Sequence, residues 1–269
     1  MDETTMPYTV TIGGATLALG DCIERMQGLQ DASVDLVLTD VPYSSGATRE
    51  AGKTAYNKTM TRSTKEGGRD RWFGSDSLST RGFMSLIRQC ALEWQRILVP
   101  GGHLLCFIDW RMMDSLVDAV EADELRGLAL RGEAADTIES ADLRRAGLLV
   151  WDKVHLGMGR HFRNRHELIL HFTKGVGREP VNRRTPNVLS HPPVRFGLHP
   201  TEKPEALLGE LIEATCPLGG LVVDPFFGSC STGAAAVKRG RRFFGVEREQ
   251  RYFDAGWKRL ADLNADLAA

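Results

Sequence analysis

The apolar run Val34-Asp-Leu-Val-Leu-Thr39 leads into Asp40-Val41-Pro42-Tyr43, which sets a carboxylate, a forced bend and an aromatic ring at the tip of a short strand. A carboxylate accepts hydrogen bonds from an exocyclic amino group, and a tyrosine face stacks on a planar ring. Pro42 biases Val41 toward extended or polyproline geometry, which frees the Val41 carbonyl to act as a second acceptor. Two acceptors gripping one amino group tip its nitrogen toward sp3 character and expose the lone pair to an electrophile. The chemistry that fits is alkylation of a nucleobase amine; a strand followed by a turn is the plain alternative reading of the same four residues.

A second constellation lies near the other end, from Gly220 to Glu247. Leu221 to Val223 read as a buried strand, Gly228 to Gly233 as a tight loop of small residues, Thr232 to Lys238 as a helix and Arg242 to Val246 as a second strand. Glu247 then stands at the tip of that second strand, roughly 20 residues past the loop, where a nucleoside-binding βαβ unit places its ribose hydroxyl acceptor. The loop has neither the GxGxxG spacing nor a GxxxxGK[ST] run, so pyrophosphate and triphosphate cradles are poorly supported. The expected ligand is a nucleoside without a phosphate tail.

With both segments in view, the chain resembles the amino-methylating DNA methyltransferases that use S-adenosylmethionine. Asp224-Pro225-Phe226-Phe-Gly228-Ser229-Cys230-Ser231-Thr-Gly233 is similar to their cofactor loop, usually DPFxGSGTT, and His199-Pro-Thr201-Glu-Lys203-Pro204 to the segment before it. Asp40-Val41-Pro42-Tyr43 is similar to their catalytic tetrad, usually [DNS]PPY. The tetrad comes first and the cofactor loop last, which is the permuted order of the beta class. Gly20-Asp21-Cys22 and Trp151-Asp-Lys153 through His166-Glu167 also read like family segments, whereas residues 44–80 and 121–145 match nothing obvious. Two departures stand out. Val41 replaces a proline but keeps the carbonyl that the family uses. Cys230 and Ser231 replace a glycine and a threonine, and a cysteine forced to positive φ costs about 1 kcal/mol.

The resemblance implies an α/β, Rossmann-like S-adenosylmethionine-dependent methyltransferase fold, with a mostly parallel seven-stranded sheet and helices on both faces. It implies methyl transfer to a base flipped out of duplex DNA, with Asp40 and the Val41 carbonyl holding the amine, Pro42 shaping the bend and Tyr43 stacking. The cofactor would contact Asp21, Cys22, His199, Thr201, Lys203, Asp224, Pro225, Phe226, Gly228, Ser229, Ser231 and Glu247. Asp21 faces the cofactor adenine in the family, while on its own residues it equally reads as a helix N-cap. The HPTEKP segment packs against the methionine part of the cofactor in the family; by itself it reads as the start of a helix. Asp at the first tetrad position is commoner among adenine N6 enzymes and Ser among cytosine N4 enzymes, so adenine is expected, although both bases offer the same NH2. A methyltransferase for RNA or another amino acceptor, or an inactive DNA-binding module, are the rival readings.

A chain of 269 residues accommodates one catalytic domain with insertions. No apolar stretch approaches the roughly 20 residues that span a bilayer, and no signal pattern opens the chain, so a cytoplasmic protein is expected. Cysteines 22, 90, 106, 216 and 230 are odd in number and scattered, which argues against a disulfide framework and offers no CxxC pair. His166-Glu-Leu-Ile-Leu-His171 spaces its histidines five apart and alternates like a strand, so no metal is expected there.

The net charge of −1 hides a segregation that bears on partners. Residues 48–71 carry seven Lys/Arg against three acids and residues 152–195 nine against three, whereas residues 109–142 carry ten acids against three arginines. A basic stretch is often only a solvated face. Both of these adjoin the catalytic or cofactor motifs, which favours contact with DNA phosphates. Candidate contacts are Arg69 and Arg71 in a mobile loop over residues 44–80, and Arg163, Arg165, Arg183 and Arg184 in a small target-recognition region over about 155–198.

Hydrophobic spacing sets the remaining elements. Tyr8 to Ile12 and Ala15 to Leu19 form a hairpin around Gly13-Gly14, followed by a helix over Cys22 to Gly28. Phe83 to Leu98 is helical, Pro100-Gly-Gly102 stops it, and His103 to Ile108 is a strand. Trp110 to Val120 is a helix, residues 121–145 an amphipathic helical insertion that packs on the domain or serves a homodimer. Leu148 to Val154 and Glu167 to Thr173 are strands, and Glu205 to Thr215 and Gln250 to Leu267 are helices.

Overall fold

The computed structural model describes residues 8–42, 79–121, 142–157, 161–181, 183–194 and 202–268. Tyr43, most of the 44–80 stretch with Arg69 and Arg71, residues 122–141, His199 and Thr201 lie outside the described residues. The elements in chain order are β1 (Thr9–Ile12), β2 (Ala15–Leu19), α1 (Cys22–Gln27), β3 (Val34–Asp40), α2 (Thr80–Ile97), β4 (Leu98–Ile108), a 3-10 turn (Trp110–Met112), α3 (Met113–Val120), β5 (Leu143–Asp152), β6 (His166–Lys174), β7 (Val188–Ser190), α4 (Glu205–Thr215), β8 (Leu221–Asp224), α5 (Ser231–Lys238), β9 (Arg242–Glu247) and α6 (Gln250–Ala268).

All these strands join one sheet in the order β1-β2-β9-β8-β3-β4-β6-β5-β7. Strands β2, β9, β8, β3 and β4 run parallel, so their carboxyl ends share one edge. The sheet is therefore mostly parallel as expected, and among the described residues it has nine strands rather than the expected seven. The hairpin strand β1 adds one edge and the three-residue β7 the other. Residues 143–145, expected as the end of a helical insertion over 121–145, belong to β5 instead; the expectation for residues 122–141 lies outside the described residues.

Helices cover both faces, which is why the central strands read as continuous apolar runs. On β3, Val37 points to a layer formed by α1, α2 and α3, with Met26, Phe83, Ile87, Trp94 and Leu116 in its core. Leu36 and Leu38 point the opposite way, toward Leu208, Leu211 and Ile212 of α4, Ala234–Ala236 of α5 and Phe253 of α6. All five cysteines are buried and unbridged. No helix among the described residues is long and apolar enough to cross a membrane.

The second histidine of the His166–His171 run lies on β6, and its Nε2 is 2.9 Å from Nδ1 of His103 on β4. Burial holds both imidazoles down, to about 4 each, and keeps them neutral at physiological pH. They lie near the middle of β4, where His103 pairs across the sheet with Leu36, four residues before Asp40.

Candidate active site

From β8 the chain leaves toward β9 on one side, and from β3 toward β4 on the other. Between β8 and β3 the order of winding reverses, and a crevice opens at the carboxyl ends of such strands. The two acids picked out from sequence, Asp40 and Asp224, end those two strands. Thr39 joins them by donating from Oγ1 to Asp224 Oδ1 at 2.8 Å. Asp224 also accepts from the Phe226 amide at 3.1 Å, which turns the chain into the loop after β8. Burial raises the Asp224 carboxyl to about 6 against these hydrogen bonds.

The loop has the shape its small residues suggest. Gly228 and Cys230 both adopt left-handed backbone, with φ of 52° and 61°. The position where the family carries glycine thus does need positive φ, and here Cys230 bears the strain of about 1 kcal/mol. At the tip of β9, Glu247 Oε1 accepts from the Arg248 and Glu249 amides and Oε2 from the Gly228 amide. An ionised carboxylate offers about four lone-pair sites, so one remains for a ribose hydroxyl. Burial pushes its carboxyl up, and the three amides pull it back only in part.

Gly20 donates to the Glu247 carbonyl at 2.9 Å, which sets Asp21 beside that tip. Asp21 caps α1 through Oδ1, which accepts from Ile23 and Glu24. Its second oxygen makes no hydrogen bond among the described residues. The cap reading therefore holds, and one oxygen is left for an adenine. Cys22 turns its thiol into the core, 4.0 Å from Cys90, so only its backbone faces the edge. Pro225, Ser229 and Ser231 are buried in the loop, with Phe226 and Gly228 partly exposed above it. The Ser229 hydroxyl donates to Glu202 Oε2 at 3.0 Å, and Glu202 Oε1 pairs with Arg259 of α6 at 2.5 Å. The donors, the left-handed turn and the open carboxylate suit a nucleoside-bearing sulfonium cofactor.

Lys203 takes a different place. Its side chain is 6% exposed and its Nζ lies 2.5 Å from Asp40 Oδ2. Strand β6 runs antiparallel to β4, so its first residues come to the same edge, and Glu167 Oε2 lies 3.5 Å from that ammonium. Glu167 Oε1 in turn pairs with Lys153 at 2.5 Å, just past β5. Four charges thus alternate along the edge, and Asp40 Oδ1 is buried with no hydrogen-bond partner among the described residues. Burial raises the Asp40 carboxyl despite the pull of Lys203. Burial disfavours the Lys203 cation too, but Asp40 and Glu167 outweigh it and hold its ammonium above the usual lysine range. For Glu167, burial is outweighed by Lys203 and Lys153, which bring its carboxyl below the ordinary value. A buried ion chain contributes little net stability, so its concentration here points to function. Val41 is buried, and Pro42 follows at the lip of the crevice.

Sequence reasoning gives no role to Glu167, Lys153, Glu202 or Thr39, although Lys153, Glu167 and Glu202 lie in segments that resemble the family's. Glu167 sat inside the rejected metal-like run and Glu202 inside the HPTEKP segment, where spacing gave no sign of a partner. Among the expected DNA contacts, Arg165 makes a two-bond pair with Asp152 and Arg183 pairs with Glu179. Arg163 donates to the Gly157 and Leu156 carbonyls. These arginines brace the loop between β5 and β6 and the turn beyond it. Arg184 is half of the remaining pair expected from sequence and stands next to Arg183, with its side chain exposed.

A family profile described as DNA methylase, of the N6/N4 methyltransferase type, matches residues 34–187 and 178–258. The protein YubD of Escherichia coli (strain K12), provisionally named a methylase, is 29% identical over 243 residues, 90% of this chain and 88% of YubD. The DNA adenine methyltransferase YhdJ of the same strain is 46% identical over 79 residues, 28% of this chain and 27% of YhdJ. Among solved structures, the M1.HpyAVI–SAM complex superposes with a TM-score of 0.61 at 20% identity, covering 91% of this chain and 98% of that one. The cytosine-N4-specific PvuII DNA methyltransferase superposes with a TM-score of 0.64 at 15% identity, covering 99% and 96%.

Proposed function

The chain belongs to the N6/N4 DNA methylase family and is an S-adenosylmethionine-dependent DNA methyltransferase, and on that premise we propose that its acceptor is the N6 amino group of adenine in duplex DNA. The observation that carries the reading is Asp40 Oδ1, a buried acceptor with no hydrogen-bond partner among the described residues, at the tip of the strand beside the cofactor loop. An exocyclic amino group supplies the N–H that this oxygen lacks, and the Val41 carbonyl takes the second. Tyr43 stacks on the flipped base; flipping costs a few kcal/mol, of which stacking returns roughly 1–3. When bound, S-adenosylmethionine would supply an electrophilic methyl group; the chain's part is to hold the two amine N–H bonds on Asp40 Oδ1 and the Val41 carbonyl, which frees the nitrogen lone pair and lets the displaced proton leave through Asp40 to solvent. No enzyme nucleophile is required, in keeping with thiols that burial drives upward at Cys106, Cys216 and Cys230.

Asp at the first tetrad position and the local similarity to a DNA adenine methyltransferase favour adenine. Asp21, Glu247 and the 225–231 loop hold the nucleoside part of the cofactor in this reading, with His199 and Thr201 completing its methionine end. In this reading Arg69, Arg71 and Arg184 contact DNA phosphates, Arg163, Arg165 and Arg183 brace the loop and turn beside them rather than serving as free phosphate contacts, and the protein works in the cytoplasm. The test is methyl transfer from labelled S-adenosylmethionine to mixed-sequence duplex DNA, with digestion to nucleosides and identification by mass. N6-methyladenine supports the assignment; N4-methylcytosine as the product overturns it.

A further inference from the structure

The family segment carrying Lys203 was expected to face the cofactor, yet the ammonium is on the catalytic carboxylate. Lys203 reaches Asp40 from just before α4 and across the edge of three strands, with its Nζ 5.0 Å from the Phe107 ring centroid. Phe107 is the residue opposite Asp40 in the β3–β4 register. The ammonium takes Oδ2 and leaves Oδ1 without a hydrogen-bond partner among the described residues. Glu167 pulls on the same ammonium from the far side at 3.5 Å and is itself fixed by Lys153. A lone lysine beside a carboxylate is free to straddle both oxygens. One drawn between two acids is confined to the nearer oxygen of each.

We propose that Lys203 is a positioning residue for methyl transfer: it keeps Asp40 an anion and blocks one of its oxygens, so that only Oδ1 accepts from the target amine, while Glu167 fixes the ammonium. The proposal rests on the assignment of Asp40 as the amine acceptor. An uncharged Asp40 is a weaker acceptor and carries a proton that faces the incoming N–H, so the ionised form is the one that frees the nitrogen lone pair. Among the described residues, the charged or titratable groups around Asp40 are Lys203, Glu167 and Lys153, together with Asp224 on β8 and Cys106 on β4. Of these, Lys203 is the cation in direct contact.

The test uses the full chain and three variants, Lys203→Met, Lys203→Arg and Glu167→Gln, with the charge-balanced K203M/E167Q pair in case the single methionine variant does not fold. In protein labelled with 13C at the aspartate carboxyl, the Asp40 resonance, assigned by its loss in D40N, is expected to titrate at least one pH unit higher in K203M than in the parent. That readout needs neither DNA nor cofactor, so it stands or falls separately from the assignment of the base. In methyl transfer, K203M is expected to lose about 100-fold in kcat at pH 7.5, with the acid limb of the kcat profile moved up by the same interval and cofactor Kd within threefold. K203R is expected to regain at least tenfold of that loss, and E167Q to fall between K203R and K203M. An Asp40 titration unmoved in K203M, or a kcat loss with an unmoved pH profile, overturns the proposal.

Discussion

Lowering the pH from 7.5 to 5.5 should weaken the fold through the His103–His171 pair by an amount that can be worked out. Each imidazole is held to about 4 in the folded chain, by burial first, from an ordinary value of 6.5. A histidine whose folded value is depressed gives stability that is complete above the ordinary value and lost as pH falls toward the folded one, because the unfolded chain takes up the proton first. Between pH 7.5 and 5.5 each ring forfeits about 1.3 kcal/mol, and the pair roughly 2.5 kcal/mol. With a urea m-value of roughly 2–3 kcal/mol/M, the unfolding midpoint should drop by about 1 M. Asp224 works in the opposite sense, because its carboxyl is raised to about 6 and the folded chain takes up that proton more readily. Its contribution is about 0.8 kcal/mol over the same interval. Comparison with the His103→Gln/His171→Gln variant removes the carboxylates from the difference, since both proteins carry them. The parent should lose about 1 M more in midpoint than the variant between the two pH values. Equal losses in the two proteins would refute the claim that these imidazoles are neutral and costly to charge.

The site gives three further expectations. Asp40→Asn, which keeps shape but removes charge, should lower kcat by about 10²–10³ while calorimetry shows cofactor affinity within about threefold of the parent; parallel loss of both would remove Asp40 from its role. Ser229→Ala deletes one hydrogen bond to Glu202 and should weaken the cofactor Kd several-fold for about 1 kcal/mol of stability, whereas Glu202→Ala also strands Arg259 and should cost about 3–5 kcal/mol in denaturant unfolding. In Gly245→Ala the added methyl would lie 2.6–2.8 Å from the Phe243 and Phe227 rings, so overpacking of about 1–3 kcal/mol should appear as a fall of several degrees in Tm.

How far the sequence reveals this molecule differs from element to element. The β8–α5–β9 unit and α4 agree with sequence reasoning to within about a residue, because buried strands between Gly220, Gly228 and Gly240 leave short apolar runs with sharp ends. Strand β5 begins five residues before the expected Leu148. Its register shifts between Arg145 and Gly147, and Arg144 to Ala146 are exposed, so no alternation announces it. Strand β7 is three residues long and carries no periodicity at all. At the site, Asp40 and Glu247 are legible because each ends an apolar run, and a strand tip is where such a residue can act. The charge chain is not legible. Lys203 and Asp40 are 163 residues apart, and only the reversal of β6 brings Glu167 to them. Charge counts along the chain likewise leave unmarked that Arg165 and Arg183 meet acids within the protein.

That reversed strand has a consequence for how target choice could be altered. In a wholly parallel sheet, the connection into a strand emerges at the amino edge, away from the ligand. Strand β6 enters at the carboxyl edge, so the arginine-bearing connection from Lys153 to Arg165 leaves and rejoins the sheet beside Asp40. The connection is closed at its root by the Lys153 amide to Arg165 carbonyl bond and by the Arg165–Asp152 pair. A segment anchored there can be lengthened, shortened or exchanged without disturbing the β4–β6 ladder or the cofactor loop. If this connection reads the target, as the proposed function expects, exchanging it between those two anchor points should change sequence preference while leaving cofactor affinity within about threefold, and an unchanged preference would remove it from recognition.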